Sequence, residues 1–414
     1  MEMSDNMKKI MGMILGLALL SGAFFKVNVY ASDEPLVRSM TDYMYTSITV
    51  TLYNATIEDL DEIEKIYQEY TIISNNFNFK DDDFDGVNDY LSNPFYGQTS
   101  IYDVNQKAFD EPVVVNQKLF DLLLEAKALY LETNGYFDVS IGRAVDLIKQ
   151  GITSFGYDEM PKADFDQLMN EIDALGRVTY SEVILDETNL TVQFTNENVK
   201  LDLGALAKGY ATQKAVDYLE EQGITTYMIN AGSSNIAVGK HPENRDWRLG
   251  LRHPVNPMLG LYAVVSNTDK AIVTSGNFEQ FFTYDEIRYH HIISPKDYLP
   301  KQYYHAVTLI GDDSGHLDGL STAIFNMPFD EAKAVVENLG IEAIFFMYDG
   351  KINTMLEDTE VELRVEEETG SKPNDVEAIA YILGGVVIVG GIIIVLLSIN
   401  EKKKGANYDK EKEE

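Results

Sequence analysis

The chain is 414 residues long, 45% apolar and 11% aromatic, enough to bury a sizeable core and too apolar for a disordered polymer. Its 33 basic residues face 67 acidic ones, a formal charge of -34 that repels phosphate backbones and argues against nucleic acid as a partner, so an anionic ligand must be held by local donors or a bound cation. With no cysteine, disulfides, zinc-thiolate centres, thiol nucleophiles and a lipidated cysteine anchor are excluded.

In chain order, Lys8 and Lys9 precede the apolar run Ile10 to Leu20, and Val29, Tyr30 and Ala31 put small residues at the first and third places of a cleavage site. Residues 1–31 therefore read as a secretory signal peptide; an uncleaved N-terminal anchor is the alternative. The body, residues 32–356, begins with β-branched alternation in SITVTLYNA (47–55), a strand. A helix over 56–73 is expected next, because Ile57, Leu60, Ile63, Ile66, Tyr70 and Ile73 recur at three- or four-residue steps on one buried face.

The insertion KDDDFDGVNDYLSN (80–93) spaces Asp81, Asp83, Asp85, Gly86 and Asp89 like the start of a calcium loop, with Ser92 where such a loop closes on glutamate. Residues 81–89 are thus either a Ca2+ site or a solvated acidic loop. A second helix is expected over 117–133, N-capped by Asn116 and ended before Gly135. From about 177 the pattern favours strands, in RVTYSEVILDE, LTVQFTN and VKLDLG, then a helix over 210–222 and a strand in ITTYMINAG. Further strands are expected in WRLGLRHP, GLYAVVSNT, KAIVTSG, IRYHHIIS, YHAVTLIG and AIFFMYDG, with helices over 317–326 and 329–339. This mixture, with hairpin-like spacings, implies an α+β fold rather than a regular parallel α/β sheet.

After an acidic linker at 357–377, Ala378 to Ile399 is uncharged, and at about 1.5 Å per residue it covers the roughly 30 Å hydrocarbon core of a bilayer. It is expected to be a single transmembrane helix. Lys402, Lys403 and Lys404 would hold the tail 400–414 in the cytoplasm, leaving the body extracytoplasmic at the cell membrane.

Three clusters carry chemistry. LDLGALAKGY (201–210) ends a β-patterned run and opens a helix, so free N–H groups and Lys208 suit an anion, while its spacing is not that of a Walker loop. An ordinary glycine-rich helix start fits it equally. HLDGLSTAIF (316–325) puts the hard oxygen donors Asp318, Ser321 and Thr322 within one helical turn, a set suited to Mg2+ shared with a phosphate; helix capping by Asp318 is the alternative. RYHHIISP (288–295) carries His290 and His291, which on a strand face opposite ways, so one can serve as a general base while the other packs; a structural histidine pair is the alternative.

Taken together and in order, SIYDVN (100–105), TNGYFDVSIG (133–142), DLGALAKGYA (202–211), INAGSSNIAVG (229–239), VTSGNFEQFF (273–282), YHHIISP (289–295) and DGLSTAIF (318–325) resemble the FAD:protein FMN transferase family, also called the ApbE family. The resemblance covers most of the body. It implies a T-fold-like α+β domain that binds FAD as substrate and Mg2+ as cofactor, and that transfers FMN to a threonine hydroxyl of an exported acceptor protein with release of AMP. By motif, Asp202 and Lys208 fall at FAD-contacting positions, as do Tyr136, Phe137 and Asp138 in a flavin-contacting turn, with Met44 and Ile293 at further ones. The Ala205 carbonyl, Asp318, Ser321 and Thr322 fall at metal positions, and His291 at the proposed base.

The chain departs from the family pattern at Ser294 to Tyr298, where an acidic residue and a Thr-Gly pair are usual. It departs again at Gly232 to Asn235, where Gly-Gly-Asp is usual and a carboxylate is lost. An FAD pyrophosphatase, with water in place of threonine, and a non-catalytic surface flavin-binding protein are the alternative functions.

Overall fold

A computed structural model describes residues 34–77 and 93–364. The expected signal peptide, the 81–89 loop, the 378–399 span and the tail lie outside the described residues. Among those described, no helix is long and apolar enough to cross a membrane.

The first half of the chain runs β1 (Leu36–Tyr43), β2 (Thr46–Leu52), α1 (Ile57–Ile73), α2 (Ile101–Lys107), β3 (Val113–Val114), α3 (Gln117–Glu132), α4 (Gly142–Phe155), α5 (Lys162–Ala174), β4 (Val183–Asp186), β5 (Thr191–Phe194) and α6 (Ala207–Glu221). The second runs β6 (Tyr227–Ala231), β7 (Asn235–Val238), β8 (Trp247–Arg252), β9 (Leu261–Asn267), β10 (Lys270–Gly276), β11 (Phe281–Tyr284), β12 (Ile287–His290), β13 (Tyr304–Gly311), α7 (Ser314–Phe325), α8 (Phe329–Leu339), β14 (Glu342–Met347), β15 (Ile352–Met355) and β16 (Glu360–Leu363). The fold is mixed α and β, built on an eight-stranded sheet in the order β1-β2-β6-β7-β10-β13-β14-β15. Its neighbouring strands are antiparallel throughout, as hairpin-like spacing predicts.

Side chains alternate across this sheet, and both faces of its central strands are buried. Ala271 and Val273 of β10, Val307 and Leu309 of β13, and Ala343 and Phe345 of β14 join the main core. Their neighbours Ile272, Ala306, Ile310, Ile344 and Phe346 pack instead with Leu249, Leu251, Tyr262 and Val265 of a second, three-stranded sheet, β16-β9-β8. This two-sided burial explains the nearly continuous apolar runs of β13 and β14.

The helix over 56–73 forms as α1, started by a capping box in which Thr56 and Asp59 satisfy each other's backbone N–H. Its buried face is shifted from the expected one: Ile57 is exposed in the first turn, while Tyr67 and Ile72 are buried. Asn116 caps α3 through Leu119 N at 2.8 Å. The helix expected from 317 starts earlier, at Ser314, with Asp313 as its cap, and the one expected from 210 starts at Ala207.

Several expected strands shrink. VKLDLG is irregular apart from a bridge between Ile141 and Lys200, because its backbone bonds go to Ser140, Val139 and the Asn105 side chain. In RVTYSEVILDE only Val183–Asp186 is strand, and IRYHHIIS leaves its strand at His290. The start of the expected linker belongs to the fold, where Glu342 accepts the backbone N–H groups of Glu357, Asp358 and Thr359 and β16 pairs with β9. Helices α2, α4 and α5 and strands β1, β3, β7, β11, β15 and β16 had no sequence expectation.

Candidate active site

A cleft of about 1260 Å³ opens where the ends of β7 and β10, helices α4, α6 and α7, and the β8–β9 hairpin converge. Of the residues singled out from sequence, Met44, Tyr136, Phe137, Asp138, Asp202, Ala205, Lys208, His291, Ile293, Asp318 and Thr322 all line it. Ser321 does not. It is fully buried beneath the floor, its Oγ bonded to the Asp318 carbonyl at 2.9 Å and to Ser275 Oγ at 2.8 Å, so the expected metal contact from its side chain is corrected to a packing role.

The floor depends on how closely α6 approaches α7. A methyl group at Gly209 would lie 2.4 Å from Asp318 Cβ and 2.5 Å from the Ser314 carbonyl, so only glycine fits. That approach lets Gly209 N–H donate to Asp318 Oδ2 at 2.7 Å, while Lys208 Nζ lies 3.4 Å from Asp318 Oδ1. Asp318 is thus a mid-helix carboxylate and not a cap. The start of α6 spends one of its free N–H groups on a protein carboxylate, so part of the negative charge it meets is built in. Burial pushes the Asp318 carboxyl upward, opposed by Lys208, the Gly209 N–H and the Asn235 amide.

Asn235 stands in the stretch where the related pattern keeps a carboxylate. It is fully buried, and its Oδ1 accepts from Ser314 Oγ at 2.7 Å. A neutral amide here avoids a second buried negative charge beside Asp318. In the same turn Ser233 holds φ 61, a left-handed conformation that favours glycine.

At the neighbouring wall Asp202 accepts from Lys149 Nζ at 2.8 Å, Asn76 Nδ2 at 3.0 Å and Gly204 N at 2.8 Å. Burial works against its charge, but Lys149 and these donors outweigh it and hold the carboxyl below the usual range. Lys149 was missed from sequence because its partner is far away in the chain. The available signal was helical: Val145 and Lys149 are one turn apart on α4, and both line the cleft.

The turn at 136–138 is fixed from several sides. Asp138 accepts from Ser140 N at 2.8 Å and Tyr180 N at 3.1 Å, and burial raises its pKa against those bonds. Tyr136 donates to Glu331 at 2.8 Å, lies beneath Lys296 Nζ at 4.7 Å, and is pushed up to about 12, chiefly by burial. Lys296 also donates to the Asn134 carbonyl at 2.6 Å, so the unusual Ser294–Tyr298 turn clamps the turn opposite. Met44 sits at φ 53 with its N–H on Thr71 Oγ1 at 3.2 Å, and the Ile293 carbonyl accepts from Asn326.

The two histidines part company as their adjacency predicts. His290 is fully buried, edge-on to Phe325, with Nε2 3.0 Å from the Lys301 carbonyl. His291 lines the cleft, its Nδ1 3.4 Å from the Gln280 carbonyl, a pairing that favours the Nδ1–H tautomer and leaves Nε2 to accept a proton. Burial lowers its pKa to about 4, with Lys149 adding to the effect, so the ring is neutral at pH 7.

Among the described residues no group of three or more His, Cys, Asp or Glu gathers as a metal cage. The hard-oxygen set of Asp318, Thr322 and the Ala205 carbonyl around the cleft fits the other mode, in which Mg2+ takes one carboxylate and completes its shell with water and substrate phosphate.

The ApbE family model matches residues 44–345. An FAD:protein FMN transferase of Klebsiella pneumoniae is 32% identical over 250 residues, covering 60% of this chain and 75% of that one. A protein of the same name from Treponema pallidum is 30% identical over 264 residues, 60% and 71% of the two chains. The crystal structure of an ApbE protein from Thermotoga maritima superposes with a TM-score of 0.63 at 23% identity over 78% of this chain and 97% of that one. The flavin transferase ApbE of Vibrio cholerae does so at 0.61 and 22% over 79% and 98%.

Proposed function

The chain belongs to the ApbE family, and we propose that it transfers FMN from FAD to a threonine hydroxyl of an exported acceptor protein. One observation carries this reading: a neutral imidazole and a built lysine–carboxylate–hydroxyl floor line a single cleft.

In the proposed reaction the acceptor threonine oxygen attacks the FMN phosphorus of FAD, its proton passes to His291 Nε2, and the phosphoanhydride bond to AMP breaks. Lys208 faces the phosphates and offsets negative charge that the protein's own field of -34 would otherwise repel. Asp318, Thr322 and the Ala205 carbonyl would hold Mg2+, which when bound neutralises charge on the phosphate oxygens. The turn at 136–138 and Met44 would orient the flavin, and Asp202, kept ionised by Lys149, would accept hydrogen bonds from it.

The apolar run Ala378 to Ile399 and the basic N-terminal segment support a membrane-anchored, extracytoplasmic body acting on exported proteins. Both variants Asp318→Ala and His291→Ala test the mechanism in the full chain. The first is expected to abolish Mg2+-dependent transfer. The second should keep FAD affinity and slow transfer by about 10²- to 10⁴-fold; unimpaired transfer by both would overturn it. AMP and free FMN without covalent product would favour the pyrophosphatase instead, and FAD binding without AMP a non-catalytic role.

A further inference from the structure

The hairpin between β8 and β9 forms a wall of the cleft and continues outward into solvent. Its tip carries Val255 at 43% exposure, Met258 at 91% and Leu259 at 52%, three large apolar side chains within five residues. Single exposed apolar residues are ordinary; a group presented at the mouth of a cleft is a contact surface. The tip is also built. His253 Nδ1 accepts from Val255 N at 3.3 Å and Asn256 N at 3.1 Å, and Asn256 Oδ1 accepts from Met258 N at 3.1 Å. Such a preset turn loses little freedom when something lands on it.

We propose that this tip is the docking surface for the acceptor protein, and that it grips an apolar side chain close to the threonine to be modified; the inference rests on the transferase reading above.

Three observations select that occupant. The first is continuity with the base. Arg252, at the end of β8, donates to Glu279 at 3.0 Å, and the next residue, Gln280, receives both the backbone N–H and Nδ1 of His291 on its carbonyl. A chain segment lying on the tip is therefore led toward His291. The second is charge. Arg252 pairs with Glu279 beyond β10, and Arg248 with Glu362 of β16 at 2.6 Å, so both arginines of the hairpin are paired with neighbouring elements and apolar contact is what the tip offers a partner. The third is proximity: Arg252, Pro257, Gly260 and Leu261 of the hairpin line the same cleft as His291.

The test uses the full chain with FAD, Mg2+ and two synthetic threonine peptides of equal length and charge. One has leucines within three residues of the threonine, and in the other these are serines. The wild type should flavinylate the leucine peptide with a KM about tenfold lower at similar kcat. In Met258→Ser/Leu259→Ser that difference should vanish, with the FAD dissociation constant unchanged; Ile184→Ser, an exposed apolar change on β4, should keep it. The same KM ratio in the double variant and the wild type would overturn the docking surface alone. Loss of binding to phosphatidylcholine–phosphatidylglycerol vesicles with that ratio intact would overturn it in favour of a lipid contact. Failure of the wild type on both peptides would overturn the transferase reading and the docking surface with it.

Discussion

The floor of the cleft and its rim are built on opposite terms. At the floor, α6 and α7 are in backbone contact, Gly209 has no room for a methyl group, and Asp318 is held from two sides. At the rim, the β8–β9 tip keeps its turn bonds but leaves Met258 almost wholly in water. In the proposed reaction a carboxylate and a lysine serving phosphate chemistry must be fixed before substrate arrives, because reorganising them during reaction would cost rate. The proposed docking surface must instead stay open. The fold thus tolerates almost no change at the floor of the cleft and nearly any at the tip of its rim.

The largest effect is expected from Gly209→Ala. The added carbon meets backbone on α7, which cannot swing aside, so a loss of about 3 kcal/mol or more is expected in denaturant unfolding together with loss of transfer. A stable, active variant would mean the floor is looser than described.

A second effect is set by pH. Because His291 is depressed to about 4, transfer should be flat from pH 8 to about 5 and then fall close to tenfold per unit as the ring gains its proton. Stability moves in the same direction. His290 at about 3 and His291 and His305 at about 4 all titrate below the ordinary histidine value of 6.5, so the unfolded chain binds more protons between those limits. Stability is then full above about pH 6.5 and is lost as pH falls toward 4. Urea midpoints across that range separate the two contributions.

Much of the floor was legible in sequence. The segments around Lys208 and Asp318 each lie within a few residues, and local order is what a motif records. Depth was not legible. Asp318, Ser321 and Thr322 share a helical turn, yet Ser321 points under the floor, since spacing places residues on a helix without saying which side meets the cleft. Nor was the Lys149–Asp202 pair, whose partners are 53 residues apart and meet only once α4 is docked. The strands expected around VKLDLG failed for a related reason. Their alternation is genuine, but their backbone partners are a loop and a side chain, which no local pattern displays.

Smaller effects sharpen the picture. Lys149→Met removes a positive charge that keeps His291 neutral and Asp202 ionised, so the acid limb of the rate profile should move to higher pH while His291 remains the base. The smallest effect should come from the rim. Met258→Ser is expected to leave unfolding free energy within about 0.5 kcal/mol of the wild type, and a larger drop would show that the tip is packed rather than presented.

In the proposed reaction one cleft breaks FAD and joins its FMN half to a protein hydroxyl. The most direct measurement counts both products at once, in a reaction of the full chain with FAD, Mg2+ and a threonine-bearing acceptor: AMP by chromatography and flavin-modified threonine by mass spectrometry. One AMP for each modified threonine, lost together in Asp318→Ala, is the predicted result; AMP matched by free FMN with no modified threonine would contradict it.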